Sequence, residues 1–223
     1  MLLASVAPVP KNPFAGTITF STTAEGTDDP NVAAELADMT QEVILMGNST
    51  KTVINQSGVG IINIANGDYK LVTTVIDIPG YGKYYIERDE NDIKKSFETS
   101  KLDYNYSDEK MTIAGYECKK VTVKVTDLET DEENSVILWV TDGLMTGDAI
   151  NFSSYPGLKG YPMRTEVKRD INGEELTLIS SATKVTPSKK IKSTEFLRPS
   201  DATNIKDAPA DLKAMLGLGE EEE

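Results

Sequence analysis

The sequence predicts a mainly β protein: one strongly curved antiparallel sheet of about ten strands, an incomplete or half barrel, with two or three short helices on its concave side. Three observations carry this. Apolar and polar residues alternate at a period of two along most of the chain, as half-buried strands require. The dipeptides Gly47-Asn48, Ser57-Gly58, Asn66-Gly67 and Asn172-Gly173 separate those runs closely enough for hairpins. A sheet this wide must curl, split or close to escape edge exposure.

The elements follow in order. Thr17 to Thr23 alternates and is rich in β-formers, which predicts a strand. Asp28-Asp29-Pro30 reads as a helix start, with acidic residues at the positive end of the helix dipole and proline at the first helical position. That helix should run over about 30–38. Glu42 to Met46, Lys51 to Gln56, Val59 to Ala65 and Tyr69 to Ile78 read as a four-stranded meander, broken by Pro79-Gly80-Tyr81-Gly82. Residues 89–97 predict a short helix, with acidic residues leading, lysines following, and Ile93 and Phe97 on one face. Residues 111–126 and 134–141 predict a hairpin. In Val136-Ile137-Leu138-Trp139-Val140 both faces are apolar, so both should be covered. Residues 143–160 read as irregular. A last hairpin is expected over 162–170 and 175–185, a further strand near 191–197, and a closing helix over 209–216 with Leu212, Met215 and Leu216 inward and Gly217 as its stop.

The domain reading is an extended N-terminal arm or signal remnant over 1–13, one half-barrel domain over 14–206, and a short helix with an acidic tail over 207–223. Met1-Leu2-Leu3-Ala4-Ser5-Val6-Ala7 resembles the end of an apolar signal core followed by small residues, although a positive n-region is missing. No apolar run is long enough to cross a bilayer.

Charge and composition bound the function. Twenty-three basic against 36 acidic residues give a net charge of −13, which argues against nucleic acid as a partner. Lys184, Lys189, Lys190 and Lys192 read as a protected strand edge. The chain has no histidine, which removes Ser-His-Asp and Cys-His catalysis and every histidine-containing metal site. Cys118 is the single cysteine, so it forms no intrachain disulfide. Two S-x-x-K matches, at Ser107 and Ser181, fall in a loop and a strand, where serine and lysine are not brought together. The acidic loop 127–133 lacks EF-hand spacing. The sequence therefore nominates no catalytic residue, no metal ligand and no cofactor. Tyrosines gather around the two irregular segments, where they either pack loops on the sheet or line the mouth of an apolar cavity.

Three segments in order carry a family resemblance: Ile113-Ala114-Gly115-Tyr116-Glu117-Cys118-Lys119-Lys120, then Leu138-Trp139-Val140-Thr141-Asp142, then Tyr155-Pro156-Gly157-Leu158-Lys159-Gly160-Tyr161-Pro162-Met163. Together they resemble the exported GLPGLI proteins of the Bacteroidota and a related family of unknown function. The resemblance implies a fold like that of the lipoprotein-localisation factors, LolA and LolB, a periplasmic or secreted location, peripheral association with the cell envelope, and no established enzyme activity.

The functional expectation is a non-enzymatic envelope protein binding an apolar ligand, such as a lipid or lipoprotein acyl chain, in a half-barrel cavity. Its lining would include Ile62, Ile64, Val72, Ile76, Val136, Leu138 and Val140, with Ile93 and Phe97 as a lid. Two alternatives stand beside it: an interaction module with a solid core, working through a surface patch or edge strand, and a hydrolase using two facing carboxylates.

Overall fold

The alternating runs become strands of one sheet in a computed structural model that describes residues 13–27, 29–56, 58–147, 149–171 and 174–216. The strands are β1 (Ala15–Glu25), β2 (Thr40–Met46), β3 (Ser49–Gln56), β4 (Val59–Asn66), β5 (Leu71–Ile78), β6 (Gly82–Arg88), β7 (Ser100–Ile113), β8 (Tyr116–Asp127), β9 (Glu133–Thr141), β10 (Tyr161–Ile171), β11 (Glu174–Pro187) and β12 (Thr203–Asn204). The helices are α1 (Pro30–Ala37), α2 (Glu90–Lys95) and α3 (Ala210–Met215). Their order across the sheet is β12-β6-β5-β4-β3-β2-β1-β11-β10-β9-β8-β7. Every neighbouring pair is antiparallel except β12 with β6, so the sheet is mixed, and it stays open. The arm over 1–12, the Asn172-Gly173 turn, Gly217 and the acidic tail lie outside the described residues.

Two meanders are fused through one pairing. Strands β1 to β6 run outward in sequence, β7 to β11 return, and β11 closes onto β1 from Gly16↔Pro187 to Glu25↔Thr177. This topology forces curvature. In a flat sheet, β6 and β7 would lie ten strand spacings apart, about 48 Å. Only residues 89–99 connect them, and six of those are helical, so their reach is at most about 30 Å. The sheet must roll up to bring its ends within range. Asp89 starts the connection with a capping box: its carboxylate accepts the Asn91 and Asp92 N–H groups, and the Asp92 carboxylate accepts the Asp89 N–H.

Register defines two faces of the β1–β6 half. Ile18, Val43, Thr52, Asn63, Thr74 and Ile86 form one transverse row, flanked by Leu45, Thr50, Ala65, Val72 and Arg88, and by Phe20, Gln41, Ile54, Ile61, Ile76 and Tyr84. This is the inner face. Helix α2 packs on it through Ile93 and Phe97, against Ala65, Val72 and Phe152 of the 142–160 segment. Helix α3 packs on it through Leu212, with Ile76, Ile78, Tyr84 and Ile86. The outer face carries Ile44, Val53, Ile62, Ile64, Val75 and Tyr85.

The C-terminal segment covers both faces. A 3-10 turn at Ser193–Phe196 lies over β3 and β4, with Phe196 buried. Arg198 then stacks 3.8 Å from the Tyr85 ring and pairs with Glu87 at 3.5 Å. Lys83 meets Asp201 at 2.6 Å. β12 adds to the β6 edge, and Ile205, Ala208 and Leu212 fold onto the inner face. A strap thus runs over the outer face, around the edge and back inside. It explains why Val75, Ile64 and Thr73 are buried on a face that would otherwise be wet.

Several expectations are corrected. Within residues 191–197 a 3-10 turn at Ser193–Phe196 stands in place of the expected strand. Strands β6, β7 and β12 were not expected, and the count among the described residues is twelve. Residues 111–113 close β7; they do not open β8. The two are joined at Ala114-Gly115, whose φ values of 48° and 86° fit a type I′ hairpin turn with Ile113 paired to Tyr116. The expectation for Val136 to Val140 holds: Leu138, Trp139 and Val140 are all buried, Leu138 and Val140 in one cluster and Trp139 in another.

An L-residue in the left-handed region costs about 1–2 kcal/mol, of which glycine recovers most. We therefore expect Ala114→Gly to raise stability in urea unfolding by about 1 kcal/mol. A loss of stability would contradict the I′ turn.

Candidate functional site

A cavity of about 430 Å³ lies on the inner face, between β1–β5 and the 150–155 part of the covering segment. Its wall on the sheet comes from alternate residues that register already placed together: Phe20, Gln41, Val43, Thr50, Thr52, Ile54, Asn63, Ala65 and Val72, with Arg88 at the β6 end. Ile150, Asn151, Ser153, Ser154 and Tyr155 close it from the other side, and Tyr161, Thr165 and Ser180 extend it toward β10 and β11.

The covering segment is held by specific bonds. Buried Asn151 donates its amide to the Leu158 and Gly160 carbonyls at 3.2 and 2.8 Å. Tyr104 donates to the Pro156 carbonyl at 3.0 Å, and the Lys159 N–H donates to the Tyr106 hydroxyl at 2.9 Å. Both tyrosines stand on β7, so the far edge of the sheet anchors the cavity's roof. Burial, with Tyr106 and Tyr155 nearby, pushes the Tyr104 hydroxyl up to about 12. Of the two readings of the tyrosines, loop packing describes Tyr104 and Tyr106, while Tyr155 and Tyr161 line the cavity.

The lining is unusual for an inner face. Thr50, Thr52 and Asn63 lie on the inner face of β3 and β4, whereas β8 and β9 turn Val121, Val123, Leu138 and Val140 into a filled cluster. Asn63 accepts from Thr74 at 2.7 Å, and Gln41 accepts from Ser180 at 3.4 Å. The Thr50 and Thr52 hydroxyls have no hydrogen-bond partner among the described residues. Left dry, each half-buried hydroxyl would cost about 1–3 kcal/mol, so this floor is built to meet water or a ligand. Apolar surface from Phe20, Val43, Ala65, Val72 and Ile150 lies beside it. The lining contains no Asp or Glu among the described residues.

Of the nine residues expected at a cavity, Val72 alone lines this one. Ile93 and Phe97 pack behind Val72, and Ile76 packs under α3. Val136, Leu138 and Val140 share a filled cluster with Val121, Val123, Leu158 and Tyr155. Ile62 and Ile64 stand on the outer face, since Ile62 pairs with Val75, and Ile64 with Thr73, one position off the Ala65–Val72 pair. The strap covers the outer face of β4, so both of its faces are apolar and its inward direction is not readable from the sequence alone. Among the lining residues not expected from the sequence, Thr50 and Thr52 carried a readable signal: they alternate with Ile54 on the inner face of β3. Arg88 carried none.

No group of three or more metal-ligating side chains occurs among the described residues. Cys118 is fully buried and bonds weakly to the Tyr116 carbonyl. It belongs to the cluster of Ile113, Tyr116, Trp139, Leu144 and Met163, which reaches the cavity through Phe20, Val43, Ile150 and Tyr161, but Cys118 is not itself part of the lining.

No family model matches the chain, and no curated protein matches it. The solved structure of PNGF-II aligns with 92% of this chain at a TM-score of 0.50 and 16% identity. The likeness is one of fold. This chain spans only 33% of that protein's length. A lipoprotein-sorting protein domain of the outer membrane from Vibrio parahaemolyticus aligns with 83% of this chain and 90% of its own, at a TM-score of 0.35 and 7% identity. No helix among the described residues is long and apolar enough to cross a membrane.

Burial pushes the Cys118 thiol up to about 12, so it stays protonated and unreactive at neutral pH. We expect no reaction with a thiol-disulfide reagent at pH 8 in the folded protein, and one equivalent after unfolding in guanidinium. Fast labelling of folded protein would contradict this packing.

Proposed function

We propose that this is a non-enzymatic binding protein of the cell envelope, whose inner-face cavity holds a small amphiphile such as a lipid. The carrying observation is the cavity itself: about 430 Å³, within the range of ligand sites, roofed by a bonded segment and lined by adjoining apolar and hydroxyl-rich surfaces. An unbranched acyl chain alone would leave Thr50, Thr52 and Asn63 facing hydrocarbon, so the occupant carries a polar part. Each CH₂ moved from water to the apolar wall contributes about 0.8 kcal/mol, so a few suffice for measurable binding. The envelope location rests on the order of the GLPGLI-like motifs. A lining free of carboxylate, histidine and thiol supports a role without catalysis.

One observation favours a second reading. Over β7–β9 the inner face is filled by Leu158 and Tyr155 on Val121, Val123 and Leu138, as a solid interaction module would be. Under that reading the protein would act through the long edge strand β7, and the cavity would hold only water.

Native mass spectrometry of protein purified without detergent separates the two. We expect a bound species of lipid mass, lost in Val72→Trp, which fills the cavity floor. Wild-type protein that carries no adduct, and takes none up from lipid vesicles, would reject the binding role.

A further inference from the structure

We propose that the cavity selects an amphiphile bearing a single anionic head, a carboxylate or phosphate, which pairs with Arg88. This deepens the binding role proposed above and rests on it. The whole chain carries a net charge of −13, yet among the described residues Arg88 is the one charged side chain in the cavity lining. Arg88 is exposed where it joins that lining, so in the free protein its charge faces water, and an anion entering the cavity can reach it.

The nearby carboxylates are already engaged. Glu87 points to the outer face, where it pairs with Arg198 and accepts from Thr73. Asp89 caps α2. Arg164 likewise has its carboxylate, Glu166, at 2.7 Å. Arg88 has no ion pair among the described residues. Register fixes where it sits: Arg88 lies opposite Val72, which lies opposite Ala65, so the guanidinium stands at the end of an apolar strip of the inner face. Ile93, Phe97 and Phe152 already cover most of Val72, so a ligand lying along that strip touches Ala65 and the remaining edge of Val72 and brings its head to Arg88. Guanidinium binds carboxylate and phosphate through a fork of two N–H donors, which a neutral head cannot match. A cationic head would meet repulsion and no counter-charge.

The test is calorimetric titration with four probes of equal chain length: decanoate, decyl phosphate, decyl glucoside and decyltrimethylammonium. We expect the two anions to bind at least about tenfold more tightly than the glucoside, and the cation not to bind. The tighter anion identifies the head. Raising salt should weaken the anions and leave the glucoside unchanged. Arg88→Ala should remove the preference, while Arg88→Lys, which keeps the charge but loses the fork, should retain part of it. Equal binding of glucoside and anions, or a preference that survives Arg88→Ala, would overturn this proposal and leave the binding role standing. Failure of all four probes would overturn both.

Discussion

The pairing of β1 with β11 holds the architecture together. It joins residues about 160 positions apart in sequence and welds two meanders into one sheet. A strand added at the centre rather than the edge leaves the sheet's two ends to be connected by a short linker, and that linker makes the sheet roll. The inner face, its roof and its cavity all follow from the roll. Such a contact is formed against a large loop-closure entropy, so the two halves depend on each other and the sheet is slow to assemble relative to a local meander. The register of this pair is also where a bulge falls, between Thr19 and Phe20, which turns Phe20 and Ala182 toward the interior cluster.

The two halves solve the same problem differently. Over β8 and β9 the inner face is valine and leucine, and protein side chains from the 142–160 segment fill it. Over β3 and β4 the inner face mixes Thr50, Thr52 and Asn63 with Ile54 and Ala65, and a cavity lies above them. Polar groups at core positions weaken a fold unless something meets them. Their grouping in one place, beneath a roof tied down by Asn151, Tyr104 and Tyr106, is the strongest physical sign of a site in the molecule.

Much of this was legible in the sequence. Period-two alternation and turn dipeptides placed β1 to β5, and the both-sided apolarity of Val136 to Val140 correctly required a layer on each face. What was hidden has physical causes. β7 is rich in Lys, Asp, Asn and Glu because it is an edge, so its pattern survives only as Leu102-x-Tyr104-x-Tyr106. β6 follows a glycine-rich turn that masked its Tyr-Tyr-Ile run. β12 is two residues long and held by the strap. The inward direction of β4 was unreadable locally, because the strap makes its outer face apolar too. That one ambiguity put Ile62 and Ile64 on the wrong side. The cavity was less legible than the fold: of the expected lining only Val72 faces it, while the polar floor and Arg88 emerge only when five strands are set in register.

Alternation makes the central claim directly measurable. Val43, Ile54, Val72 and Ile150 line the cavity, whereas Val53, Ile62, Ile64 and Val75 lie on the outer face of β3, β4 and β5. In methyl-labelled protein titrated with decanoate, the account predicts saturable shifts in the NMR signals of the first set and none in the second. Shifts in the outer set, or equal shifts in both, would contradict a ligand site on the inner face.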